Sequence, residues 1–220
     1  MKIYLDEQTI ALRAAKEFKD GSVINLGYGM PVLCANFIPE DRSIYFQSEN
    51  GVLGYAGLAT DEEKDFELIN AADQPITRAP GMCFFDSAAS FDMIGGGHID
   101  TVVLGAYQVS EEGDLANWGR PGRPATGMGG GMDLAVGAKK VIVTMLHSTK
   151  DGKARIVKKC SYPITAKHCV SMIFTDIAVM QITEKGILLK EVAPGWTAAE
   201  VQALTEPRLI IASDLKEIEL

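Results

Sequence analysis

Three kinds of residue in this chain have types and spacing suited to chemistry. The first is a carboxylate. In "IYFQSENGVLG", positions 44 to 54, an alternating apolar run ends at Glu49, followed at once by Asn50 and Gly51. Asn-Gly is the strongest short hairpin signal, because both residues tolerate positive φ. Read alone, the stretch is a turn, and Glu49 is a solvated charge beside it. The second kind is backbone. "GMGGGMDLAVGAKKVIVTM" opens with Gly127, Gly129, Gly130 and Gly131, whose N–H groups no side chain shields. Such groups at the start of a helix can stabilise an anion or a developing oxyanion. The competing reading is a loop that needs unusual φ angles or close packing.

The third kind is histidine. His98 follows Gly95, Gly96 and Gly97, and His147 ends the run "VIVTMLH". Each can be a catalytic base, but a histidine satisfied by its surroundings is the commoner case. His168-Cys169 near Cys160 has metal-ligand types, yet there is no close Cys-x-x-Cys pair among the four cysteines. Buried thiols and a surface histidine are the simpler reading, and no metal is expected. There is no Walker loop, no G-x-G-x-x-G after a strand, no G-x-S-x-G and no H-E-x-x-H.

The chain that must position these residues has ordinary globular composition. It has 220 residues, 47% hydrophobic and 23% charged, with a net charge of -8. That length accommodates one large domain with a sizeable core, here taken as residues 1–220. The acidity disfavours nucleic acid and anionic membrane as partners, but leaves small anions open. "MKIYLDEQTI" has no apolar signal core, and no run reaches membrane-span length, so a cytoplasmic protein is expected.

The elements read as follows. Asp6 to Lys19 is a helix with Ile10, Ala14 and Phe18 on one face, ended by Asp20-Gly21. "SVINL" is a short buried strand. In "GYGMP", Gly27 and Gly29 make a tight turn, and Pro31 opens the helix "VLCANFI". "SIYFQS" is a strand; "HIDTVVLGA" and "KKVIVTMLH" hold continuous β-branched runs that suit a parallel sheet covered on both faces. "DIAVMQIT" and "ILLKEVA" form a hairpin around Glu184-Lys185-Gly186. "TAAEVQALT" is a helix with Thr197 and Glu200 as a capping box, and "RLIIASDL" closes the chain. Strands alternating with helices favour an α/β fold.

Three segments together, "FQSENGVLG", "GGHIDTVVLGAYQVSEEGDLANW" and "GMGGGMDLAVGAKKVIVTMLH", resemble the β subunit of family I CoA transferases, the 3-oxoacid and acetoacetate/butyrate group. "INLGYGMP" and "CSYPITAKH" resemble the same family, in order, over roughly residues 6 to 215. The resemblance implies an open, layered, mostly parallel sheet with flanking helices. It implies that Glu49 is a nucleophile forming a glutamyl-CoA thioester in two half-reactions, with no cofactor beyond coenzyme A as substrate. The acids exchanged would be of the acetoacetate, butyrate or acetate type. The oxyanion amides fall on Gly130 and Gly131, and the family usually carries alanine at the latter. Asn25, Gly27, Gly29, Asn50, Gly51 and Gly129 become candidate substrate- or CoA-binding positions, with Gly51 keeping the approach open and Asn50 orienting Glu49 or capping the turn.

An α-type subunit is the implied partner, in a hetero-oligomer. Two departures stand out: Gly95 replaces a common arginine, and Arg120 or Arg123 offers a basic group where the family approaches the loop differently, a solvated charge being the simpler reading of either. Two other readings remain beside the transferase: a CoA-thioester hydrolase on the same scaffold, and a ligand-binding module with no catalysis.

Overall fold

The computed structural model describes residues 1–122 and 127–219; Arg123 therefore lies outside the described residues. A first helix, α1 (Glu7–Ala15), starts where Asp6 accepts a hydrogen bond from the Thr9 N–H at 2.8 Å. It is shorter than its apolar pattern predicts. After Ala15 the chain tightens into i→i+3 turns that carry Phe18 into the core, and Gly21 at φ 74° completes the exit.

The strands β1 (Val23–Leu26), β2 (Tyr45–Ser48), β5 (Thr101–Gly105), β8 (Val141–Thr144) and β10 (Val170–Phe174) run parallel in the order β10-β8-β5-β1-β2. Consecutive residues such as Val102–Leu104 and Val141–Val143 are all buried, as expected for strands covered on both faces. Antiparallel additions extend the sheet at both ends: β3 (Val52–Tyr55) and β4 (Cys83–Phe84) beyond β2, and β11 (Ala178–Thr183) and β12 (Gly186–Val192) beyond β10. β13 (Ile210–Glu217) then pairs parallel to β12, making ten strands.

The expected helix "VLCANFI" is a 3₁₀ segment, Met30–Phe37, packed with α1. Two further helices, α2 (Ser87–Gly95) and α3 (Gly131–Gly137), pack on one another. Chain order steps from β1 to β2 in one direction and from β5 to β8 in the other. Right-handed crossovers therefore place α3 on the face opposite the 3₁₀ segment. The β1–β5 boundary is the point where strand order reverses. In such sheets, ligands bind outside the carboxyl ends of the strands at that reversal. A small sheet of β6 (Gln108–Ser110), β7 (Leu115–Ala116) and β9 (Ile156–Val157) is built from the segments that leave β5 and β8 at the same edge. Near the end, α4 (Ala198–Ala203) carries the capping box of Thr197 and Glu200. Among the described residues, no helix is long and apolar enough to cross a membrane.

Candidate active site

Glu49 stands immediately after the C-terminal end of β2, in the turn that leads into β3. The hairpin reading of Asn50-Gly51 is therefore right about the backbone: the Gly51 N–H donates to the Ser48 carbonyl at 3.0 Å. It is wrong about the carboxylate, which is half-buried rather than solvated. The chain is forced into this shape at Gly51. Its φ is 112°, and a Cβ there would collide with the Phe85 carbonyl. Only glycine fits both demands. Because Gly51 is buried, its role in the structure is backbone packing; it does not line the approach to Glu49.

Across from the turn, the glycine-rich loop runs into α3. The Gly130 N–H donates to Glu49 Oε1 at 3.2 Å. A Cβ at Gly130 would lie 2.9 Å from Glu49 Cδ, so this glycine is required by the carboxylate itself. Gly129, at φ 54°, approaches the same oxygen. Gly131 does not: its N–H donates to the Met128 carbonyl at 3.3 Å, and a Cβ there would meet only Asn117 and Thr165 at 3.8 Å or more. Of the two expected amides, the structure brings one to Glu49.

Burial is the main influence on Glu49 and pushes its pKa above the usual glutamate value. The hydrogen bond from Gly130 opposes this, and the nearby charge of Asp133 adds to it. The result is a carboxylate stripped of part of its water and held, among the described residues, by a single backbone donor at the carboxyl edge of the sheet.

The residues on either side of Glu49 hold it in place. Ser48 Oγ accepts from the Ala71 N–H at 2.8 Å, and Asn50 Nδ2 donates to the Ile69 carbonyl at 2.9 Å. Asn50 thus fastens the turn to the excursion between β3 and β4 and does not touch Glu49. Behind them, Asn25 Nδ2 donates to Gln47 Oε1 at 2.6 Å, and Gln47 Nε2 donates to Ser90 Oγ at 2.7 Å. These three buried polar groups are mutually satisfied and tie β1, β2 and α2 together. The side chain of Asn25, a candidate for substrate binding, is therefore spent inside the core. Gly27 packs against β5, its N–H donating to the Val103 carbonyl at 2.8 Å; Gly29, exposed at φ 86°, starts the 3₁₀ segment.

Ser48, Gln47, Ser90 and Asp133 are site residues that sequence reading missed. The one available signal was polar Gln47-Ser48 ending a strand whose other residues are apolar. The histidines lie elsewhere. His147 is buried between the hydroxyls of Thr175 and Thr205, at 3.1 and 2.9 Å, and burial pushes its pKa down to about 4. His98 is exposed at the opposite edge of the sheet, before β5. Gly95 ends α2 at that same far edge, exposed and with open space around it, so an arginine there would not reach Glu49. Cys160 and Cys169 are half-buried thiols, each pushed up to about 11 chiefly by burial.

Residues 7–204 match the family model described as coenzyme A transferase. The chain belongs to the coenzyme A transferase family. It is 47% identical over 209 residues to the acetate CoA-transferase subunit beta of Escherichia coli strain K12, covering 95% of each chain. It is 45% identical over 212 residues to the human mitochondrial succinyl-CoA:3-ketoacid coenzyme A transferase 2, covering 96% of this chain but 41% of that one. Its fold matches an acyl-CoA transferase apoenzyme from Escherichia coli O157:H7 with a TM-score of 0.76 at 22% identity, over 100% of this chain and 45% of the other.

Proposed function

We propose that the chain is the glutamate-bearing subunit of a CoA transferase that works through a glutamyl-CoA thioester on Glu49. The observation that carries this reading is the half-buried Glu49 carboxylate facing the N–H of Gly130, a position that admits no side chain. A carboxylate is a weak nucleophile in water; removing part of its hydration raises its reactivity toward a thioester, whose thiolate leaves readily.

Glu49 attacks the carbonyl carbon of an acyl-CoA, the C–S bond breaks, and a mixed anhydride and CoA thiolate result. The thiolate then attacks the glutamyl carbonyl carbon and releases the original acid as its carboxylate. A second carboxylate reverses both steps and departs as the new acyl-CoA. Charge develops on the glutamyl oxygen in the steps at that carbon, where the Gly130 N–H already donates. No proton need be gained or lost over a full cycle, consistent with the lack of a histidine beside Glu49 among the described residues.

The acids are short ones of the acetate, acetoacetate or butyrate type. Acetate is supported by the name of the Escherichia coli relative, and a 3-oxoacid such as acetoacetate by that of the human relative, which also names succinyl-CoA. An α-type subunit completes the site. Supporting this, the loop after β1 leaves Tyr28 82% exposed, and Phe84 beside the Glu49 turn is 63% exposed, an unusual amount of aromatic surface at a catalytic edge. Initial rates with the reconstituted pair test the scheme: transfer should show parallel double-reciprocal lines. Intersecting lines would overturn the covalent route, and loss of acyl-CoA to water without acid would turn the reading toward a hydrolase.

A further inference from the structure

The small sheet over the carboxyl edge carries two guanidinium groups that nothing in the reaction scheme uses. The Arg120 guanidinium carbon lies 4.6 Å from the centre of the Tyr107 ring. Tyr107 meets Tyr162 edge to face, with ring centres 6.5 Å apart. Arg155 is half-buried close by and feels the charges of both Arg120 and these tyrosines. Among the described residues, neither arginine forms an ion pair or a side-chain hydrogen bond. Asp176, which acts on Arg155, accepts from the His147 N–H at 2.7 Å.

Two neighbouring cations, neither in an ion pair among the described residues, thus stand together in a chain of net charge -8. Burial, and then the charge of Arg120, hold Arg155 below the ordinary arginine value. An anion bound between them would offset the repulsion between the two guanidinium groups.

The position relative to Glu49 is also defined. Tyr107 lies two residues beyond the end of β5, and Arg155 N donates to the His147 carbonyl just past β8, so the cluster sits at the edge that holds Glu49. Asn117 packs beside Gly131, next to the amide that meets Glu49. Arg120 follows three residues later, at most about 10 Å of extended chain. The intervening path is fixed, since Trp118 Nε1 donates to the Ile164 carbonyl at 3.4 Å and Gly119 packs on Pro163. A thioester at Glu49 with a long flexible arm would lead its far end toward the cluster.

We propose that Arg120 and Arg155, with the rings of Tyr107 and Tyr162, bind the phosphorylated nucleotide end of the CoA thioester. This rests on the function proposed above for Glu49. The guanidiniums supply forked donors for phosphate, and the tyrosine rings supply apolar walls. The site would then separate recognition from chemistry: phosphate contacts would set KM for acyl-CoA, and Glu49 would set kcat.

The test compares wild type, Arg120→Gln and Arg155→Gln, each purified with the α-type partner. One arm titrates adenosine 3′,5′-diphosphate by calorimetry; the other measures transfer from acyl-CoA and from the same acyl group on pantetheine. Each variant should weaken nucleotide binding and raise KM for acyl-CoA about tenfold, the scale of one charge-assisted contact, with kcat and the pantetheine substrate unchanged. Unchanged nucleotide binding in both variants, or equal losses with both substrates, would overturn the subsite. Arg120 is exposed, so Arg120→Gln keeps the test valid if Arg155→Gln folds poorly. Intact nucleotide effects without a Glu49 adduct would refute the transferase chemistry and leave the subsite standing; the reverse pattern would do the opposite.

Discussion

The two ends of the large sheet offer different kinds of hollow. At the β11–β12 hairpin tip and the start of β13 lies a cavity of about 640 Å³, lined by Glu112, His168, Glu184, Lys185 and Arg208 among others. Its acids are exposed, and they face basic groups across open solvent. At the carboxyl edge Glu49 is half-buried, and among the described residues its one hydrogen bond comes from the Gly130 N–H. The difference teaches that room for a ligand and reactivity are separate properties. A solvated carboxylate is weakly nucleophilic whatever the volume beside it, whereas a partly desolvated one with a fixed donor is prepared for attack on a carbonyl.

Substitutions at the two ends should separate sharply. Glu49→Gln keeps the shape and removes the nucleophile, and should lower acid-dependent CoA transfer by roughly a thousandfold or more. Gly130→Ala should cost roughly a hundredfold, the scale of losing one oxyanion donor, because its Cβ would meet Glu49 Cδ at 2.9 Å. Gly131→Ala, one residue along, should stay within about threefold of wild type, since it meets only ordinary contacts. Steady-state rates on the reconstituted pair check all three. In the remote cavity, Glu184→Gln should change transfer by less than about twofold.

The pH dependence distinguishes the regions as well. A glutamate whose folded pKa is raised favours its protonated form in the fold, so its stabilising contribution is present below 4.5 and lost as pH rises through the raised value. Glu49→Gln should therefore melt higher than wild type at pH 7 but not at pH 4. His147 has the opposite sign of shift. Its neutral form is favoured, so full stability is present above 6.5 and is lost as pH falls toward about 4. The loss is on the order of 3 kcal/mol, and His147→Gln should flatten it in thermal melts.

Much of this architecture was legible in the chain. Continuous β-branched runs announced the parallel strands, Thr197 and Glu200 announced α4, and Glu184-Lys185-Gly186 announced the hairpin. Short strands such as β4 and β9, two residues each, carry too little periodicity to be read. The 3₁₀ form of Met30–Phe37 and the early end of α1 were set by tertiary packing, which local pattern does not encode. At the site, Glu49 and Gly130 were singled out through the family resemblance; by residue type alone Glu49 reads as a solvated charge. Asn25, Gly51 and Asn50 were singled out as ligand contacts, and the structure uses them for Gln47, the Phe85 carbonyl and Ile69. Their partners lie 19 to 34 residues away, beyond the reach of any motif.

The central claim is that Glu49 becomes covalently attached to CoA. The direct measurement is intact-mass and peptide spectrometry of the reconstituted pair incubated with acetoacetyl-CoA or butyryl-CoA and no acceptor acid. The account predicts a CoA adduct on the peptide containing Glu49, removed on adding an acid and missing in Glu49→Gln. An enzyme that transfers CoA with no such adduct, or with the adduct on another residue, would contradict it.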